Sequence, residues 1–354
     1  MNRSASWLDA LGVRLPIVQA PMAGVSTPAM AAAVSNAGGL GSLGVGAMNA
    51  AQAGEAIRAF RALSAGPLNV NVFTHRPARA DRTAEAAWLA RLTPAFAQFG
   101  TQPPAALREI YRSFLVDEDI LALLLAERPA VVSFHFGLPR PEQVTALHAR
   151  GIVLMATATC LSEAEAIAAA GIDAVVAQGY EAGGHRGVFD PDAEDSRLGT
   201  LALTRLLAER LSIPVIAAGG IMDGAGIAVA LKLGASAAQL GTAFIDTEES
   251  LADAEYRRLL HGPAGHATVM TRVISGRPAR SLASAFTRWG AAVPEAAVPD
   301  YPIAYDAGKA LHQAAKAAGG SGYGAYWAGQ GAPLARRLAT ATLMQALAGE
   351  LARA

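Results

Sequence analysis

The chain has little cysteine and little charge. Its 354 residues include one cysteine, Cys160, which excludes an intramolecular disulfide and suits a reducing compartment such as the cytoplasm. Charged residues make up 16% of the chain, and 29 lysines and arginines balance 29 aspartates and glutamates. The protein therefore has no net field to attract nucleic acid or anionic lipid, and we expect neither as a partner.

A long uncharged segment near the start raises the question of a membrane span. Residues 15–54 contain no charged side chain, but Pro16, Pro21, Pro28 and several glycines interrupt them. A spanning helix needs about 20 mainly apolar residues, so we interpret this segment as strand, turn, short helix and strand. Residues 1–15 also lack the apolar core of a signal peptide. We expect a soluble, cytoplasmic protein with no membrane partner.

Apolar residues and glycines are abundant, and short apolar runs alternate with stretches of helical character. Strands are predicted at 17–22, 40–44, 69–73, 130–136, 152–158, 174–178, 214–218 and 237–241. Helices are predicted near 28–37, 50–64, 105–127, 140–150, 162–170, 200–212, 224–233 and 248–261. Apart from the third, these strand runs do not alternate apolar with polar residues, which is typical of parallel strands covered on both faces. This order predicts an α/β fold, a (β/α)8 TIM barrel, with a doubly wound sheet as the alternative.

Two segments fall outside this count, so we assign residues 1–264 to the barrel and 265–354 to a tail. Residues 74–104 are an insertion after the third strand, and the tail shows helical patterns near 279–291, 301–317 and 332–352. Insertions at the carboxyl end of a barrel often form lids. We therefore expect the tail to be a mainly helical cap over the barrel mouth.

The most informative motif is the run QGYEAGGHRG at 178–187, which follows the sixth predicted strand. Its glycines let the backbone approach a ligand closely, and His185 among them can move a proton near neutral pH. A flexible strand-to-helix loop is the plain alternative for this segment. His135, late on the fourth strand, is a second histidine expected at the same rim.

Loops with glycines after the seventh and eighth strands, at Gly219-Gly220 and Gly241-Thr242, predict a phosphate site. In TIM barrels these two loops commonly hold a phosphate with backbone N–H groups. Residues 213–231 contain no lysine or arginine, which favours a mononucleotide held by backbone. Two ordinary glycine-rich connections are the alternative.

Three further patterns are ambiguous on their own. Met22 at the end of the first strand, and Asn69 and Asn71 on one side of the third, are able to contact a flat ring or its polar chain. Tyr301, Tyr305 and Lys309 recur every four residues, so one helical face would present two phenols and an ammonium to an anion. A half-buried amphipathic stripe explains that spacing equally well. No pattern of carboxylates, histidines or cysteines predicts a metal site.

Taken together, these stretches resemble the class I bacterial nitronate monooxygenases, formerly called 2-nitropropane dioxygenases. The resemblance is carried by QAPMAGVSTPAMAAAVSNAGGLG at 19–41, VVSFHFGLP at 131–139, residues 156–187 and residues 217–244, with YPIAYDAGK and YGAYWAGQG in the tail. It covers nearly the whole chain.

The resemblance implies noncovalent FMN and the conversion of an alkyl nitronate and O2 to a carbonyl compound and nitrite, with propionate 3-nitronate as substrate. His185 would be catalytic, and the substrate would be bound by His135, Tyr111, Tyr301, Tyr305 and Lys309. The cofactor-binding residues would be Pro21, Met22, Ala23, Asn71, Gln178, Gly183, Gly220, Gln239, Leu240, Gly241 and Thr242.

Other functions stay open at this point. An NAD(P)H-dependent FMN reductase of quinones or enoyl thioesters, and a flavin-binding protein without activity, would both share these loops with glycines. A dehydrogenase acting on inosinate would need a cysteine after the sixth strand, and that loop has none. The oligomeric state is not predicted.

Overall fold

The computed structural model describes residues 3–354, with side chains from residue 7 onward. Its main sheet consists of parallel strands whose side chains are mostly buried on both faces. The strands are β1 (Ile17–Gln19), β2 (Gly41–Gly44), β3 (Leu68–Phe73), β4 (Val131–His135), β5 (Val153–Ala158), β6 (Ala174–Gln178), β8 (Val215–Ala218) and β9 (Ala237–Leu240), with the short β7 (Gly184–His185) outside the sheet.

The sheet closes on itself. Its order within the described residues is β1-β9-β8-β6-β5-β4-β3-β2, and all neighbouring pairs are parallel. A parallel bridge between Val18 and Leu40 joins the two ends, with the amide of Gln19 donating to the Leu40 carbonyl at 3.0 Å. The predicted (β/α)8 barrel is confirmed, with strand bounds shifted by at most a few residues, and the doubly wound alternative is excluded because that sheet would have open edges.

Helices connect the barrel strands and cover the outside. They are α1 (Arg3–Ala10), α2 (Pro28–Asn36), α3 (Ala50–Leu63), α4 (Arg82–Ala97), α5 (Glu118–Glu127), α6 (Pro141–His148), α7 (Leu161–Ala169), α8 (Thr200–Arg210), α9 (Gly224–Lys232) and α10 (Ala254–His261). Side-chain caps mark several of their starts. The carboxylate of Asp223, for example, accepts the amide of Gly226 at 2.8 Å and begins α9.

The predicted helix at 105–127 is wrong in its first half. Residues 105–113 are irregular, and α5 begins at Glu118, where the Asp117 carboxylate accepts the amide of Ile120 at 3.2 Å. The hydroxyl of Ser113 donates to the carbonyl of His75 at 2.5 Å, so this segment is tied to the end of β3 instead of continuing a helix. The irregular path places Tyr111 at the barrel mouth.

The insertion and the tail pack together. Helix α4, inside the insertion, contributes Trp88 and Leu92 to a buried apolar cluster with tail residues. The tail contains β10 (Thr268–Thr271), β11 (Ala279–Leu282), α11 (Ala285–Gly290), α12 (Ile303–Ala317) and α13 (Thr340–Leu351). The predicted helix at 279–291 is therefore wrong at its start, because residues 279–282 pair with both β10 and β7 as an antiparallel strand.

The last helix does not cover the mouth. On α13, Leu343, Met344 and Leu347 are fully buried in a cluster that includes Ile17 of β1 and Met30 of α2. The apolar face of α13 thus packs on the outer wall of the barrel, and the expectation of a cap over the mouth is wrong for this element. Among the described residues, no helix is both long enough and apolar enough to cross a membrane.

Candidate active site

A cavity of about 310 Å³ opens at the carboxyl ends of the barrel strands, where TIM-barrel active sites lie. Except for Leu240, every residue that the resemblance assigns to the site lines this cavity. Those lining it are Pro21, Met22, Ala23, Asn71, Tyr111, His135, Gln178, Gly183, His185, Gly220, Gln239, Gly241, Thr242, Tyr301, Tyr305 and Lys309.

Leu240 is the exception. Its side chain is buried in the apolar cluster between β1 and α13, and its carbonyl accepts the amide of Ala20 at 2.8 Å. Successive residues of a strand point to opposite faces, so Leu240 faces the outer wall while Gln239 and Gly241 face the cavity. The expected contact between Leu240 and a cofactor is therefore absent from the cavity lining.

One end of the cavity is built from backbone. Gly219 and Gly220 adopt φ of 122° and 70°, which favours glycine, and Thr242 begins a 3₁₀ turn at Thr242–Phe244. Among the hydrogen bonds of the described residues, none has the amide of Gly220, Gly241 or Thr242 as donor. Unpaired amides next to a helix start suit an anion such as phosphate, and both predicted phosphate loops line this end of the cavity.

Two amide side chains lie in the middle of the cavity. The Nδ2 of Asn71 donates to the carbonyl and hydroxyl oxygens of Ser133 at 3.1 and 3.0 Å. Gln178 holds the histidine loop, since its Nε2 donates to the His185 carbonyl at 2.9 Å and its Oε1 accepts the Gly187 amide at 2.8 Å. Asn69 lies deeper in the barrel, where its Nδ2 donates to the hydroxyl of Ser42 at 3.0 Å, and it does not line the cavity.

Both the backbone and the ring of His185 are held by hydrogen bonds. It lies on β7, which pairs with Ala279 of β11, and its carbonyl also accepts the ring Nε2–H of His135 at 3.2 Å. The ring Nε2 of His185 is 2.8 Å from the hydroxyl of Ser275, which also lies 3.3 Å from the Arg277 carbonyl. The same hydroxyl accepts the Arg277 amide at 3.5 Å, so it is able either to accept from Nε2–H or to donate to Nε2. In both cases Nδ1 is the ring nitrogen without a hydrogen-bond partner among the described residues.

The buried setting keeps these groups uncharged near neutral pH. Burial lowers the pKa of His185 well below its usual value, and the charges of His135, Arg277 and His75 add to this effect. Burial likewise lowers the pKa of His135 to about 4. Burial raises the pKa of the Tyr301 and Tyr305 phenols, so both keep their protons and are hydrogen-bond donors.

The far end of the cavity combines aromatic rings with one ammonium group. Tyr301 precedes α12, while Tyr305 and Lys309 lie within it, so only the last two share a helical face. The Nζ of exposed Lys309 lies 5.1 Å from the Tyr111 ring centre and 5.5 Å from that of Tyr305. Lys309 has no ion-pair partner among the described residues, which leaves its charge available to an anion.

Sequence reasoning missed several residues of the site. Trp327 lies in the glycine-rich segment between α12 and α13, yet it lines the cavity with its ring 5.1 Å from that of His185. A Cβ on Gly183 would come 2.4 Å from the amide of Gly329, so these two glycines allow the tail to reach the cavity. Ser275 lacked any sequence signal, because only the pairing of β11 with β7 places it beside His185.

The cavity carries no negative side chain. Its lining residues, within the described part of the chain, include no aspartate and no glutamate. No group of three or more histidines, cysteines, aspartates or glutamates in the described part is placed to hold a metal ion. The chemistry that this site supports is therefore the binding of an anionic molecule beside a neutral histidine and protonated phenols.

Known proteins share this architecture along their full length. A family model described as nitronate monooxygenase matches residues 5–350. The nitronate monooxygenase of Paraburkholderia phytofirmans is 61% identical, over 97% of this chain and 94% of its own. That of Pseudomonas aeruginosa is 56% identical, over 96% of this chain and 97% of its own.

Two solved structures are also similar. Nitroalkane oxidase from Streptomyces ansochromogenes is 42% identical with a TM-score of 0.90, and the match covers 98% of both chains. FabK from Thermotoga maritima is 28% identical with a TM-score of 0.73, covering 98% of this chain and 96% of its own. The chain therefore belongs to the nitronate monooxygenase family, whose members are flavin-dependent oxidoreductases that act on nitronates.

Proposed function

We propose that this enzyme binds FMN and uses O2 to convert propionate 3-nitronate, a small anionic substrate, to a carbonyl compound and nitrite in the cytoplasm. The observation that carries this proposal is the charge of the cavity. Lys309 supplies an ammonium group without an ion-pair partner, and no carboxylate lines the cavity among the described residues. Both the substrate and the phosphate of FMN are anions that such a cavity favours.

The residues present fit FMN. The unpaired amides of Gly220, Gly241 and Thr242 would hold its phosphate. Asn71, Gln178, Gly183 and Gln239 would contact its polar chain and ring, beside the backbone of Pro21, Met22 and Ala23. Bound FMN supplies the redox chemistry, while the protein supplies binding, orientation and electrostatics.

His185 would act on the nitro group. A nitronate has already lost its carbon-bound proton and needs no base, so the Nδ1–H tautomer of His185 would donate a hydrogen bond to a nitronate oxygen, whereas the Nε2–H tautomer leaves Nδ1 free to accept a proton. A neutral nitroalkane still carries that proton, and the free Nδ1 of an uncharged His185 is suited to accept it. Tyr111, Tyr301, Tyr305 and Lys309 would hold the carboxylate of propionate 3-nitronate, with His135 shaping the pocket through its bond to the His185 carbonyl.

A reductase that takes electrons from NAD(P)H is the competing function. The match to FabK, at a TM-score of 0.73, is weaker than the match to nitroalkane oxidase, at 0.90. The test is nitrite release from propionate 3-nitronate in air, with and without NADH, by protein whose released flavin is identified by chromatography. We expect FMN and NADH-independent nitrite. NADH oxidation without nitrite would indicate the reductase, and protein with flavin but no turnover would indicate a binding protein.

The His185→Asn variant tests the assignment of the catalytic residue. FMN should stay bound, because the phosphate site is distant in sequence and built from backbone. Turnover of a neutral nitroalkane should fall by about 10²–10⁴-fold, the usual contribution of a general base, and turnover of the preformed nitronate should fall less. If His185→Asn turned over both substrates at wild-type rates, His135 would become the candidate for the catalytic residue.

A further inference from the structure

Arg277 is a buried cation without a counter-ion. Its side chain lies in the turn between β10 and β11 and only 4% of the residue is exposed. The charges of Asp192 and Asp190 act on it, but neither carboxylate forms an ion pair with it, and Asp192 is paired with Arg272 at 2.9 Å. A buried guanidinium without an ion-pair partner lowers the stability of the folded protein. The presence of Arg277 at this position therefore calls for a physical explanation.

The other buried arginines do have partners. Arg186 donates to both carboxylate oxygens of Asp195, at 2.8 and 2.9 Å. Arg280 uses all three of its nitrogen atoms in hydrogen bonds to Tyr180 and Thr268. Arg277, in contrast, donates from one terminal nitrogen to the Val188 carbonyl, and its Nε is buried without any partner. Arg280 also lacks an ion pair, so what distinguishes Arg277 among the buried arginines of the described residues is a missing ion pair together with an unpaired Nε.

The guanidinium of Arg277 lies against the wall of the active site. Its central carbon is 4.4 Å from the ring centre of Phe136, a cation–π contact. The same ring is 5.5 Å from the His185 ring and 5.4 Å from the Tyr301 ring, both of which line the cavity. Only one aromatic layer thus separates the buried charge from the cavity.

The backbone of Phe136, whose ring forms this layer, is strained. Its φ is 80°, an unfavourable value for a bulky residue. Backbone strain of this kind persists where the surroundings impose it, often at functional sites. The hydroxyl of Tyr301 in the same cluster is also buried without a hydrogen-bond partner among the described residues. Charge, strain and an unpaired donor therefore converge on one side of the cavity.

We propose that Arg277 is a specificity-determining residue, a fixed internal positive charge that acts with Lys309 to select substrates bearing two negative charges. The proposal rests on the proposed function, in which the substrate carries a carboxylate and a nitronate. Arg277 does not line the cavity, so it acts through space. Its charge is little screened by salt because it is buried, whereas the charge of exposed Lys309 is screened.

The charge also acts on His185. Burial is the main cause of the lowered His185 pKa, and the charge of His135 and then that of Arg277 contribute further. The groups that face His185 are His75 and His135 from the barrel, Arg277 and Ser275 from the tail turn, and Tyr301 and Tyr305 near α12. Among these, arginine supplies the permanent positive charge.

The experiment compares the FMN-loaded wild type with Arg277→Met and Arg277→Lys. Nitrite release is measured with propionate 3-nitronate, which carries two charges, and with propyl 1-nitronate, which carries one. In Arg277→Met we expect kcat/KM to fall by about tenfold or more for the doubly charged substrate and about threefold or less for the other. Arg277→Lys keeps the charge and should keep most of the discrimination. Equal losses on both substrates in Arg277→Met would overturn the proposal.

Binding of unreactive anions separates this inference from the proposed function. Calorimetry with malonate and propionate should show that Arg277→Met loses affinity for malonate more than for propionate. This result is expected even if wild type releases no nitrite, an outcome that would refute the proposed function alone. Equal affinity of wild type and Arg277→Met for malonate would overturn the role of Arg277.

Lys309→Met provides a second route if Arg277→Met does not fold. With the exposed ammonium removed, the remaining preference for malonate over propionate should persist, and it should change little between low and high salt. A Lys309→Met protein that binds malonate no better than propionate would overturn the proposal, because Lys309 alone would then account for the selection.

Discussion

The ring Nε2 of His185 lies 2.8 Å from the hydroxyl of Ser275, across 90 residues of sequence. Ser275 is fully buried, and the nearby Arg277 carbonyl gives its hydroxyl an acceptor at 3.3 Å. The hydrogen bond occupies Nε2 of His185, so Nδ1 is the ring nitrogen left for a ligand in the cavity. The tail supplies this hydroxyl, although the histidine belongs to the barrel.

Ser275→Ala should reduce turnover of a neutral nitroalkane more than turnover of its nitronate. A neutral hydrogen bond contributes about 0.5–1.5 kcal/mol, so we expect about a two- to tenfold loss in kcat/KM for the neutral substrate. Ser281→Ala is the matched control, because Ser281 is equally buried on β11 but bonds only to backbone carbonyls. The same kinetic split in both variants would show that the effect is structural.

Lys309→Met should raise KM for propionate 3-nitronate more than for propyl 1-nitronate. A hydrogen bond to a charged group contributes roughly 1.5–3 kcal/mol, which corresponds to about tenfold or more in kcat/KM. Lys316→Met removes a charge from the same helix, but Lys316 is paired with Asp253 at 3.0 Å. That control should behave like wild type. Similar changes in both substrates for Lys309→Met would assign Lys309 a structural role.

Gly241→Leu should weaken FMN binding. The φ of Gly241 is −110°, so the backbone itself accepts a side chain. A Cβ there would already lie 3.3 Å from the Cβ of Ala20, and a longer side chain would extend into the cavity. Gly241→Ala is the graded control and should retain most of the cofactor. FMN content and the dissociation constant measure the effect, and wild-type retention in Gly241→Leu would remove this loop from the phosphate site.

Acid should destabilise the fold through its buried histidines. Burial is the main cause that lowers the pKa of His75 from 6.5 to about 4, so the unfolded chain binds more protons between these values. Stability is therefore lost as pH falls from about 6.5 toward 4, by roughly 2 kcal/mol at pH 5 for this residue.

In His75→Phe, the free energy of unfolding in urea, measured at several pH values, should fall less steeply as the pH is lowered from about 6.5 toward 4. Among the described residues, neither buried ring nitrogen of His75 has a side-chain or backbone atom placed as a hydrogen-bond partner. A phenylalanine ring would keep the aromatic contacts with Phe136 and Tyr301. The exposed His266→Gln variant serves as the control. An unchanged dependence on pH in His75→Phe would assign the loss of stability to other groups.

The barrel was predictable because each strand is a short apolar run that must be buried on both faces. AVVAQ at 174–178, for example, is fully buried as β6. The strands of the tail escaped prediction because residues 279–282 become a strand only by pairing with β10 and β7, which are distant partners. Local pattern favoured a helix there, and tertiary pairing overrode it.

The residues of the candidate site also fall into a group that the sequence predicts and a group that it does not. Gly220, Gly241 and His185 follow barrel strands, so their meeting at one rim follows from the fold. Ser275, Trp327 and Arg277 come together through the tail, whose path no periodicity in the sequence reveals. Leu240 was mispredicted for a simpler reason, since strand alternation already places it opposite Gln239 and Gly241.

The pairing of β7 with β11 has a consequence for the order in which activity is acquired. The glycine-containing loops proposed to hold phosphate have all been synthesised once the chain reaches Thr242, before any residue of the tail exists. His185 gains its strand partner only with Ala279 and its hydroxyl partner only with Ser275. During synthesis, then, the chain would gain the means to bind flavin first, and the catalytic histidine would be fixed in place only later.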